Sequence, residues 1–144
     1  MKNLKVAVAQ FEPKDGDKDY NLSVIEKLTA LAKEKGAEVI SFHEMSVTAY
    51  TFFKNLSKAE AFDLAEEVPH GPSTIQLIDI AQKYDITLLA GLVERSDDKI
   101  FNTYLCVDGS GLKAKYQKLH PFISPYMTPG DAYVVFDIKG WKCG

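Results

Sequence analysis

Leu4-Lys5-Val6-Ala7-Val8-Ala9-Gln10-Phe11 and, a helix-length later, Val39-Ile40-Ser41-Phe42-His43-Glu44 are the stretches that decide the fold. The first is a short apolar run without clean alternation, as a parallel strand covered on both faces would be. Polar Lys14-Asp15-Gly16-Asp17 ends it. From about Tyr20 to Lys35 the apolar residues Leu22, Ile25, Leu28 and Ala32 recur at helical spacing, Lys33 and Lys35 fall in the last turn, and Gly36 stops the helix. Val39 to Phe42 is the second strand. Residues 4 to 42 therefore spell a βαβ unit with an expected right-handed crossover, and that sets the class as α/β.

Outward from this unit, Ser57-Lys58-Ala59-Glu60 and Ser73-Thr74-Ile75-Gln76 both match a capping box. They predict helices near 57 to 66 and 73 to 84, with Pro69-His70-Gly71-Pro72 breaking the chain between them. Ile86 to Val93 reads as a third buried strand that ends, like the second, on an acid, here Glu94. The rhythm then changes. Turns at Ser96-Asp97-Asp98-Lys99 and Asp108-Gly109-Ser110-Gly111 separate Phe101–Val107 from Leu112–Lys118 with no helix between, which predicts antiparallel strands. A Pro-rich loop from Pro121 to Gly130 precedes a strand at Tyr133 to Ile138, and Gly140 turns the chain into an apolar approach at Trp141. Residues 1–144 carry no linker or repeat and read as one domain. Because the chain stops as it enters a strand, more protein is expected to follow Gly144.

With 46% hydrophobic residues in 144 and a net charge of −3 from 17 basic and 20 acidic side chains, the composition is that of a globular chain. The charges are interspersed, and no basic stripe interleaved with aromatics marks a nucleic-acid partner. The run Val6-Ala7-Val8-Ala9 is shorter than a signal-peptide core of about 7 to 15 residues, and no stretch approaches the roughly 20 apolar residues that cross a bilayer. Cys106 and Cys143 lie in or beside apolar strand-like stretches instead of at loop spacings, which argues for a reducing compartment, with the cytoplasm as the expected address.

Glu44 carries two readings. A carboxylate after a strand often caps the next helix or pairs with a surface lysine. In open α/β sheets, however, ligands gather beyond the carboxyl ends of strands, where a carboxylate can act as a proton acceptor. Glu94 shares the pattern but precedes a polar turn and reads as structural. Lys118, alone, would be a solvated lysine at a strand end. Set among Leu119, Pro121 and Phe122, an ammonium needs a carboxylate partner, so Glu44 and Lys118 make more sense together than apart. The rival reading is a non-catalytic α/β binding or interaction module in which the two form a structural ion pair. His43, His70 and His120 lie on separate segments without metal-ligand spacing, and no phosphate-cradling glycine motif occurs, so neither metal nor cofactor is expected. Cys106, in Tyr104-Leu105-Cys106-Val107, reads as a small buried apolar residue. Cys143 could form a nucleophilic thiolate.

Lys5-Val6-Ala7-Val8-Ala9-Gln10, Gly36-Ala37-Glu38 with Phe42-His43-Glu44, Gly71-Pro72, Ala90-Gly91-Leu92-Val93-Glu94, Asn102, Tyr116-Gln117-Lys118-Leu119-His120 and Pro129-Gly130-Asp131, in this order and spacing, resemble the nitrilase superfamily of carbon-nitrogen hydrolases. The resemblance runs the length of the chain. It implies a four-layer α-β-β-α sandwich, of which residues 1–144 would be the amino-terminal portion, incomplete as it stands. It also implies a Glu-Lys-Cys triad acting on a small amide, carbamoyl or nitrile substrate without a cofactor, in a homodimer or higher homo-oligomer. By the same resemblance Glu44 would be the general base and Lys118 the oxyanion stabiliser. The nucleophilic cysteine would lie about four residues beyond Gly144, and at about 3.3 Å per strand residue Cys143 would fall too far back to reach the same acyl carbon. Two departures stand out. His43 replaces the proline most members carry before the Glu, and loop 122–128 lacks the second Glu that positions substrate in many of them. Half of such a sandwich would leave a sheet face and an edge exposed, with no turnover expected of the 144 residues alone.

Overall fold

The computed structural model describes residues 3–144. Five strands form one sheet in chain order: β1 (Val6–Val8), β2 (Val39–Ser41), β3 (Thr87–Ser96), β4 (Lys99–Asp108) and β5 (Gly111–Gln117). The first three are parallel and β3, β4 and β5 run antiparallel, so the change of rhythm in the sequence is a change of strand direction within a single sheet. The helices are α1 (Lys18–Glu34), α2 (Lys58–Leu64) and α3 (Pro72–Tyr84). A separate hairpin pairs β6 (Phe136–Ile138) with β7 (Trp141–Cys143).

Strand register sorts the side chains into two faces. Ile40, Leu88, Leu105 and Val107 face α1 and α3, which contribute buried Leu22, Ile25, Leu77 and Ile80. Burying each such side chain contributes roughly 1.5–3 kcal/mol. On the opposite face Val39, Cys106 and the partly buried Leu89 and Ala114 meet Ile138, Phe136 and Cys143 of the hairpin. The layers thus run helices, sheet, then a two-stranded hairpin, in keeping with the α-β-β part of the expected α-β-β-α order. A third apolar cluster, with Met45, Phe53, Ala61, Val93, Ile100 and Met127 buried, packs the loops that follow β2. At its β1 edge the sheet is uncovered: Val6 is 51% and Val8 85% exposed.

Several boundaries differ from the sequence reading, each for a local reason. Only Val6–Val8 of the predicted Leu4–Phe11 strand makes full ladder pairs, although Ala9 N–H still reaches Ser41 O at 2.9 Å. The Ser57 capping box forms as read, but α2 ends at Leu64. Ser73 does not cap α3. That helix starts at Pro72 with Gly71 as its N-cap residue, because a carboxylate replaces the missing side-chain cap. Glu66 accepts the Ser73 N–H and hydroxyl, both at 2.8 Å. Lys18 Nζ neutralises the same carboxylate at 2.6 Å. β3 continues through Ser96 to the turn at Asp97-Asp98, so Glu94 lies inside the strand and does not end it. β6 begins at Phe136, three residues later than read, leaving Tyr133 and Val135 exposed.

Two glycines place the chain segments that carry Glu44 and Lys118. A Cβ on Gly91 would lie 2.4 Å from the Met45 backbone nitrogen, so only glycine lets the chain after β2 lie flat against β3, where Val47 N–H reaches Gly91 O at 3.0 Å. A Cβ on Gly130 would lie 2.1 Å from Gln117 O. Gly91→Ala is expected to lower the unfolding free energy by about 1–3 kcal/mol, read as a shift of the urea midpoint; an unmoved midpoint would mean that this contact relaxes without cost. The hairpin contact gives a second expectation. Burial above all, then the nearby charge of Asp108, pushes the Cys106 thiol up to about 12. Since the thiolate is the reactive form, iodoacetamide at neutral to mildly alkaline pH should label Cys143 in the folded chain and spare Cys106. Equal labelling at both sites by peptide mass mapping would contradict this.

Candidate active site

β2 ends at Ser41, and the next residues, held beside β3 by Phe42 N–H to Leu89 O at 2.9 Å, project the Glu44 side chain beyond the strand's carboxyl end. β5 ends at Gln117, and Lys118 follows it. β3 and β4 lie between β2 and β5 in the sheet, yet Lys118 Nζ donates to Glu44 Oε1 at 2.6 Å. The acid and the ammonium singled out in the sequence are therefore in contact across 74 positions of chain. Their side chains are 43% and 29% exposed, so the pair is reachable from solvent.

Asn102, from β4, donates its carboxamide N–H to the same Glu44 Oε1 at 2.5 Å. Glu44 Oε2 has no partner among the described residues. Glu44, Asn102, Tyr104, Tyr116 and Lys118 line a depression of about 300 Å³. The Tyr50 and Phe122 rings stand 5.9 and 5.6 Å from Lys118 Nζ, a cation–π arrangement on an aromatic flank. Burial first, then the negative charge of Glu44, raises the Tyr50 phenol above its ordinary value, with Lys118 opposing. Loop 122–128 thus presents a ring, that of Phe122, to the ammonium. Tyr104 is also raised, chiefly by burial. Its hydroxyl donates to Phe42 O, so the Ser41 hydroxyl, 2.9 Å away, donates to it. This latch spans β3 and ties down the strand end that bears Glu44.

His43 makes no hydrogen bond to the Glu44 carboxylate among the described residues. Its Nδ1 lies 3.1 Å from the Glu44 backbone carbonyl, which can only accept, so Nδ1 carries the proton. Its ring packs on Phe11 at 5.1 Å between centroids, and Nε2 is buried without a partner among the described residues. His120 is exposed. Cys143, on β7 and paired with Phe136 of β6, lines a separate cavity of about 410 Å³ with Cys106, Leu89 and Ala114. Tyr104 and Tyr116 border both spaces. Glu94 is only 1% exposed and accepts from Thr103 at 2.7 Å, Lys115 at 2.5 Å and Gln117 at 3.0 Å. It cements β3 to β4 and β5 on the other face from Glu44, a structural part.

The contacts of Asn102, Tyr104, Tyr50 and Glu66 escaped the sequence reading. Asn102 figured there only as a motif residue, since an Asn two strands away from a Glu is joined to it by register alone.

The carbon-nitrogen hydrolase family model matches residues 5–144. A nitrilase from Pyrococcus abyssi is 33% identical over 144 residues, covering 98% of this chain and 54% of its own length. A citrullinase from Francisella tularensis is 30% identical, covering all of this chain and 52% of its own. An N-carbamoylputrescine amidase from Solanum lycopersicum is 28% identical, with 98% and 49% covered. The chain spans about half the length of the curated relatives it matches. Among solved structures, an amidase from Nesterenkonia sp. superposes with a TM-score of 0.75 at 20% identity, covering 96% of this chain and 53% of that one. Another structure of that organism's amidase, in which acrylamide has added to the active-site cysteine, gives 0.77 at 20% identity, with 97% and 55% covered. On the match of its sequence to the family model and to these relatives, the chain belongs to the carbon-nitrogen hydrolase family.

Proposed function

We propose that this chain supplies the acid–base and electrophilic half of a cysteine amidohydrolase that cleaves a small amide, carbamoyl or nitrile bond. The observation that carries the reading is the contact of Glu44 with Lys118 beyond the ends of β2 and β5. In the proposed cycle Glu44 takes the proton of a cysteine thiol, and the thiolate attacks the acyl carbon. Protonation removes the negative charge that holds Lys118, freeing the ammonium to stabilise the oxyanion. For an amide, collapse of the tetrahedral intermediate expels the amine, which takes the proton from Glu44 as it leaves; a thioester remains and water, activated by the same carboxylate, hydrolyses it. The nucleophile belongs to the segment following Gly144. This assignment is supported by the resemblance and by the cavity that Cys143 and Gly144 line together with Tyr104 and Tyr116, the rings that also wall the Glu44 depression. A reducing cytoplasm suits such a thiol, and the working form proposed is a homodimer or higher homo-oligomer by analogy with the family.

A purely structural Glu44–Lys118 pair fits less well. An ion pair this exposed stabilises a fold by about 0–1 kcal/mol, little reason to hold a carboxylate and an ammonium at the lip of a depression. In a protein carried through the remainder of the reading frame, Glu44→Gln is therefore expected to shift the melting temperature by only a few degrees while lowering ammonia release by about 10²–10⁴-fold. Lost folding with no hydrolysis to lose would favour the binding-module reading. The 144-residue chain assayed beside it should release no ammonia; turnover in the short chain that Cys143→Ala abolishes would make Cys143 the nucleophile.

A further inference from the structure

Asn102 touches both members of the Glu44–Lys118 pair. Its side-chain Nδ2 donates to Glu44 Oε1 at 2.5 Å, and its backbone carbonyl accepts the Lys118 N–H at 2.8 Å. One residue of β4 thus holds the acid through its side chain and the lysine through its main chain. Asn102 is 5% exposed, so water competes weakly for its amide. The orientation of that amide is dictated by its neighbours: a carboxylate oxygen that already accepts from Lys118 can receive only the NH₂ end, never the carbonyl.

We infer that Asn102 is a positioning residue for the hydrolysis proposed above, fixing Glu44 Oε1 so that the unpartnered Oε2 is the oxygen that exchanges protons with the thiol. Two donors from adjacent strands converge on one oxygen and define the plane of the carboxylate. Lys118 alone, on a flexible stem, leaves that plane free to rotate. Without Asn102 the carboxylate would keep its charge partner and lose its aim, which costs turnover more than substrate binding.

The inference rests on the proposed function, and the test separates the two. In the protein carried through its reading frame, Asn102→Leu removes the donor at similar volume and is expected to lower kcat by about 10²-fold with KM within about threefold of the parent. Asn102→Asp keeps the shape but turns the donor into an acceptor. Two facing carboxylates share a proton at low pH and repel once both are ionised, so this variant should recover activity toward acidic pH and lose it toward alkaline pH relative to the parent. A structural Asn102 would depress both variants evenly across pH; that result, or Asn102→Leu activity within about threefold of the parent, overturns the inference. If the parent hydrolyses no amide, carbamoyl or nitrile, the functional reading fails instead. The holding of Glu44 is then read in the same parent protein from the Glu44 carboxyl carbon resonance, which Asn102→Leu displaces if the bond exists and leaves unmoved if it does not.

Discussion

The missing side chain at Gly91 is the constraint on which the arrangement at the sheet's carboxyl edge depends. β2 is only three residues long, too short to aim a side chain by its own ladder. What directs Glu44 is the passage of residues 44–47 against β3, closer than any Cβ would permit. Contacts that fix this passage come from several sources: Val47 N–H donating to Gly91 O, Gly91 N–H donating to the Ser46 hydroxyl, and Met45 packed with Val93 and Phe53. The left-handed backbone at Met45 and Ala49 belongs to the same tight passage, since neither residue favours that conformation by itself. Tyr104 reaches across from the other side to close it.

Glu44 and Glu94 show how one residue type meets two different settings in the same sheet. Glu94 lies almost wholly out of water and meets three donors spread over both oxygens. Such a carboxylate is satisfied and removing a partner would leave a buried charge. Glu44, far more accessible, has both donors on one oxygen and the other oxygen open. Saturation makes a brace, and the open oxygen of Glu44 at a solvent-facing lip is what the base role proposed for it requires. The lysines follow suit: Lys115 faces the brace, and Lys118, three residues on along β5 and its extension, emerges on the opposite side.

Much of this was legible in the chain itself. The βαβ unit, the antiparallel second half, the Ser57 cap and the pairing of Glu44 with Lys118 follow from periodicity, turn chemistry and the demand of an ammonium for a counter-charge. What was not legible depended on contacts between distant strands. Ser73 matched a capping pattern, but Glu66, seven residues earlier, claimed its N–H. Glu94 looked like a strand end because the apolar run stops there, yet neighbours on β4 and β5 supply partners that let the strand continue past a charge. Asn102 and Tyr104 are silent in sequence for the same reason: their partners are set by register across β3.

The main chain of Lys118 is tied on both sides, its N–H to Asn102 O and its carbonyl to Gly130 N–H at 3.0 Å. An ammonium so mounted can answer a change of charge at Glu44 only by turning about its own side-chain bonds, which takes picoseconds to nanoseconds. In the proposed cycle its transfer from carboxylate to oxyanion would then keep pace with the chemistry, and no backbone rearrangement would have to precede each turnover.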